Sequence, residues 1–88
     1  LEEIFERLTK QLLIKNSDLT EKQARTWVEV LWEDFETTRA KAGRKYLGKE
    51  MTENMVIQMI NHYGNRLHEF AATNPKYAHL LNDNDFLN

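Results

Sequence analysis

Residues 20–43, TEKQARTWVEVLWEDFETTRAKAG, read as one long amphipathic helix with both ends marked. Thr20 and Gln23 have capping-box spacing: the hydroxyl serves the amide three residues on, and the glutamine side chain reaches back. Leu19 and Ala24 occupy the hydrophobic-staple positions around that cap. Ala24, Trp27, Val28, Leu31, Phe35, Thr38 and Ala42 then recur by threes and fours, which places them on one face. Gly43 supplies the residue that ends many helices in the left-handed region. A helix of this length spans roughly 33 Å. It is the longest element of an 88-residue chain, so the other elements must pack against it.

Working outward, Leu1, Ile4, Phe5, Leu8 and Leu12 share a face of a first helix over Glu2–Lys15, which Asn16-Ser17-Asp18 closes. On the other side, a third helix is expected from Thr52 to the Asn74-Pro75 pair. Met51 and Val56 fit a staple at its start, and Glu53 suits the positive end of its dipole. Val56, Met59, Ile60, Tyr63, Leu67, Phe70 and Ala71 form its apolar stripe. Gly64 sits mid-pattern and costs about 1 kcal/mol relative to alanine, so close approach by another helix is expected there. Pro75 opens a short last helix to Leu81. The expected architecture is all-α: one domain over residues 1–81, a small bundle of three main helices plus a short C-terminal helix. Residues 82–88 read as a flexible tail.

Composition narrows the function classes. With no cysteine, disulfide frameworks, thiolate metal sites and cysteine nucleophiles are excluded, and a cytoplasmic setting is the simplest one. The longest apolar run, Leu12-Leu13-Ile14, is far short of the ~20 residues of a membrane helix. The acidic opening Leu1-Glu2-Glu3 does not resemble a signal peptide, and a chain opening on leucine instead of methionine is expected to have residues upstream. The net charge of -2 is unevenly spread: -4 over residues 1–36, +4 over 37–50 and -2 over 51–88. Bulk nucleic-acid or membrane binding is therefore not expected, and any such role would be local.

The run from Thr26 to Glu36, with its continuation to Lys41-Ala42-Gly43, resembles the signature of the WVELL family. Val30 stands where the naming motif has leucine, an apolar exchange. That family groups small proteins of uncharacterised function from spore-forming Gram-positive bacteria. The resemblance implies a cytosolic protein and carries over no catalytic or binding residues.

Several residue groups invite chemistry. His62 and His68 are six apart, which sets them about 120° from each other around a helix, whereas a shared metal needs i, i+4 spacing. With His79 they read as surface histidines, and no metal or cofactor is expected. Glu29, Glu33 and Glu36 form a stripe away from the apolar face, with Arg25 and Arg39 as surface partners, and read as a solvated face. Arg39, Lys41, Arg44, Lys45 and Lys49, with Tyr46 between Gly43 and Gly48, could contact a phosphate or a single strand. Cations also gather near helix C-termini without any ligand, because the dipole stabilises them. Val30, Trp32, Leu13 and Met55 lie off their helices' stripes, an apolar surplus that one bundle core does not easily cover; either the short last helix covers it, or it is a contact surface for a second copy or another protein.

No nucleophile–base pair, metal constellation or cofactor fingerprint marks an enzyme, and none is expected. The leading expectation is a non-enzymatic protein–protein interaction module, acting on itself or on another protein through a surface containing Val30 and Trp32. The alternative is nucleic-acid or phosphate-ligand binding through residues 39–49.

Overall fold

A computed structural model describes residues 1–41 and 48–81. Four α-helices follow in order: α1 Glu2–Lys15, α2 Glu21–Lys41, α3 Gly48–Tyr63 and α4 Leu67–Thr73, after which Pro75–Leu81 form a 3₁₀ helix. No strand occurs among the described residues. The Gly43 cap, the 82–88 tail, and Arg44, Lys45 and Tyr46 of the basic segment lie outside them.

The α1–α2 corner follows its sequence signals closely. Asn16 ends α1, its amide bonding the Leu12 carbonyl, and its side-chain oxygen accepts from the Asp18 amide to turn the chain. The capping box then closes reciprocally: the Gln23 amide donates to Thr20 Oγ1 at 3.0 Å and the Thr20 amide donates to Gln23 Oε1 at 2.8 Å.

Two boundaries differ from the sequence reading. Helix α3 begins at Gly48, four residues before Thr52, and Gly48 takes φ +59°, a backbone region that glycine enters without steric cost. Thr52 is thus inside the helix, fully buried, and Glu53 pairs with Arg7 of α1 at 2.9 Å instead of capping α3. The expected third helix is also two helices, α3 and α4, broken at Gly64-Asn65-Arg66. The bundle therefore has one more helix than expected, and its last turn is 3₁₀. That short element places Tyr77 and Leu80 on one side, because i and i+3 eclipse in a 3₁₀ helix, and both are buried.

The core is continuous. Leu8 and Leu12 of α1, Ala24, Trp27, Val28 and Leu31 of α2, Val56 and Ile60 of α3, and Tyr77 of the 3₁₀ helix are essentially inaccessible. α1 and α2 run antiparallel, as do α2 and α3: Phe5 meets Trp32, and Arg39 reaches Thr52. The expected close approach at Gly64 is present. A Cβ built there would lie 2.8 Å from Lys15 Cβ, and Asn16 Nδ2 donates to the Gly64 carbonyl at 3.0 Å. The ends of α1 and α3 are therefore bound together at one glycine.

Candidate functional site

The outer face of the α1–α2 pair carries the largest change from the sequence reading. Trp32 was expected on the surface, but only 5% of it is exposed. Its ring stands edge-on to Phe5, with centroids 5.6 Å apart and planes at 84°. The reason is that α2 packs against α1 as well as against α3 and the 3₁₀ helix, and α1 sets Phe5 against Trp32. A helix packed against several elements buries a wider arc than a single stripe. Val30 remains half-buried and, with Phe5 and Trp32, lines a groove of about 400 Å³ whose rim carries Glu29 and Glu33.

Arg25 organises one edge of that groove. Its guanidinium makes two 2.8 Å bonds to the Glu2 carboxylate and one of 2.6 Å from Nε to Glu29, and it lies 5.1 Å over the Phe5 ring. The Arg25 bonds hold the Glu2 carboxyl below its ordinary pKa. Leu13 and Met55 do not join Val30 and Trp32. Leu13, half-buried, borders a more polar cleft with Glu6, Thr9, Glu21 and Arg25. Met55 borders a groove with Phe35, Met59, Tyr63 and Phe70. The expected single apolar surplus is divided among three places.

Thr9 beneath the polar cleft has no hydrogen-bond partner for its buried hydroxyl among the described residues. A buried unsatisfied hydroxyl costs about 1–3 kcal/mol, and valine has nearly the same shape without that cost. Thr9→Val is expected to raise stability by about 1 kcal/mol in urea denaturation. A loss of stability would mean that the hydroxyl is bonded in solution.

The acidic stripe is only partly a solvated face. Glu36 accepts from Arg39 Nη2 at 2.8 Å and from the Thr52 hydroxyl, while Arg39 Nε reaches Thr52 Oγ1 at 3.3 Å. The Thr52 hydroxyl, then Arg39, pull the Glu36 pKa below its ordinary value. Only 11% of the Arg39 side chain is exposed, so this member of the basic segment is engaged in joining α2 to α3. Lys41 and Lys49 are exposed.

One functional-looking cluster had no sequence signal. Asp34 of α2 accepts from the buried Tyr77 hydroxyl at 2.7 Å and pairs with Lys76, fixing the 3₁₀ helix to α2. Burial raises the Asp34 pKa, but the bonds from Lys76 and Tyr77 and the charges of Lys76 and Lys41 outweigh it, so the net shift is downward. Burial first, then the bond to Asp34, raise the Tyr77 phenol. A carboxyl with a lowered folded pKa stabilises the fold fully above its unfolded value, about 3.9 for aspartate. That contribution is lost as pH falls through the folded value. The 3₁₀ helix is therefore expected to loosen on acidification, with Asp34→Asn flattening the dependence of stability on pH below about 5. Urea midpoints measured between neutral and acid pH check this. Equal slopes for the wild type and Asp34→Asn would contradict it.

His62, His68 and His79 are exposed, and no group of three or more His, Cys, Asp or Glu is placed to hold a metal ion among the described residues. His62 packs edge-on to Tyr63, and His79 Nδ1 lies 3.0 Å from the Lys76 carbonyl. No helix among the described residues is long and apolar enough to cross a membrane.

Fold and surface together define a small helical-bundle protein with an apolar groove on the outside of its first two helices. A family model described as WVELL protein matches residues 3–76, and the chain belongs to that family. It is similar to "Uncharacterized protein YfhJ" from Bacillus subtilis (strain 168), at 50% identity over 85 residues, covering 96% of this chain and 88% of that one. No solved structure matches. In this chain the naming motif is largely structural: Trp27, Val28 and Leu31 are core residues, while Glu29 and Val30 face outward onto the groove.

Proposed function

We propose that this protein is a non-enzymatic interaction module that binds another protein through the outer α1–α2 groove. The supporting observation is the groove itself: Val30, partly buried and packed against the core on its inner side, lines it beside Leu1, Phe5 and the remaining edge of Trp32. A contiguous apolar recess with a polar rim is the arrangement found at interface centres. Binding of nucleic acid or phosphate by residues 39–49 has less support, because Arg39 is engaged by Glu36 and Thr52.

Trp32 is unsuitable as a probe, since truncating a core aromatic would damage the fold. Val30→Gln removes the apolar contact while leaving a good helix former at a half-exposed site. Immobilised wild type and Val30→Gln, compared by quantitative mass spectrometry of bound proteins, are expected to differ by loss of at least one specific partner. Melting temperatures should stay within a few degrees of each other. Identical bound sets would remove this reading.

A further inference from the structure

We infer that the outer α1–α2 groove takes an amphipathic helix presenting a large apolar side chain flanked by lysine or arginine; this inference rests on the groove being the docking site. Thr26, Glu29, Val30 and Glu33 line it from α2 over about 10 Å of helix, two turns, which is the footprint of anchors spaced by three, four and seven residues. Its volume of about 400 Å³ suits one or two large side chains rather than a whole packing layer.

The rim fixes the sign of the partner. Glu29 and Glu33 stand one turn apart on it, and Glu33 has no ion-pair partner among the described residues. The neighbouring cation, Arg25, is held by both Glu2 and Glu29. At this face the carboxylates of Glu2, Glu29 and Glu33 outnumber the one cation bonded to two of them, Arg25, so the local charge is negative. A second copy meeting the groove across a two-fold axis would set Glu29 and Glu33 against the same residues of its partner, and like charges opposed in that way disfavour the contact. A polyanion is disfavoured for the same reason. A basic, apolar-faced helix satisfies both floor and rim.

The test uses two labelled helical peptides, one of leucine and lysine and one of leucine and glutamate at amphipathic spacing, titrated with the full chain by fluorescence anisotropy. The leucine–lysine peptide is expected to bind. Val30→Gln and Glu33→Lys should each weaken it about tenfold at low salt. Glu50→Lys, which changes net charge equally but lies at the start of α3, should change it less than about twofold. Circular dichroism confirms that each variant folds. Equal weakening by Glu33→Lys and Glu50→Lys would reduce the binding to bulk charge and overturn the inference. Equal, Val30-dependent binding of the leucine–glutamate peptide would overturn the charge preference while leaving the groove as a docking site. Binding of neither peptide in a Val30-dependent way would overturn the inference and the groove as a helix site together.

Discussion

Replacing Trp27 by alanine is expected to remove about 3–5 kcal/mol of stability, a large part of what a domain of this size possesses. Trp27 is 1% exposed. It lies parallel to Tyr77 at 5.9 Å and edge-on to Phe70 at 6.3 Å, so one side chain of α2 holds both α4 and the 3₁₀ helix. Truncation would leave a cavity against two further aromatics and would weaken the surroundings of the Tyr77–Asp34 bond. Urea denaturation followed by far-ultraviolet circular dichroism measures the effect. A loss below about 1 kcal/mol would show that the C-terminal elements do not depend on this stack.

The second large effect is expected at Gly64, where the sign separates two physical accounts. Within a helix, alanine in place of glycine gains about 1 kcal/mol by propensity alone, but Gly64 stands just past the last residue of α3. Here a Cβ would meet Lys15 Cβ at 2.8 Å, as well as the Ile60 carbonyl oxygen, and both neighbours are held in place. Lys15 Cβ sits at the base of its side chain, and Asn16 ties the following residue to the Gly64 carbonyl. Overpacking of this kind costs about 1–3 kcal/mol. Gly64→Ala is therefore expected to destabilise the fold and to part the C-terminal ends of α1 and α3. A stabilised variant would contradict that close approach.

These two positions also show which features the sequence makes legible. Gly64 interrupts an apolar pattern, and that local cost pointed to a neighbour; the neighbour is Lys15 of α1. The break between α3 and α4 was not legible, because Ile60, Tyr63, Leu67 and Phe70 keep helical spacing across the three-residue connection, so the periodicity carries no mark of it. The start of α3 was misplaced because Gly48 supports a left-handed φ at the helix start, while the staple-like Met51 and Val56 pointed to a later one.

The groove was half legible. Val30 stood out as apolar on the polar side of α2, and it does face outward. Trp32 stood out for the same reason and is core, because a single-helix stripe cannot register that α1 sets Phe5 against it. Asp34 and Tyr77 are 43 residues apart and meet only through the tertiary fold, so no local spacing announces their bond. The same holds for Thr52, whose hydroxyl joins Glu36 and Arg39 across the α2–α3 interface.

The central claim is that the outer α1–α2 groove meets another protein. The most direct measurement places a photoreactive side chain at Thr26, on the groove rim, and at Asn61, exposed on α3, and compares the adducts formed in living bacteria. The account predicts a discrete protein adduct from position 26 that is absent from position 61 and is lost when Val30→Gln is added. Adducts that are the same from both positions, or that persist with Val30→Gln, would contradict it.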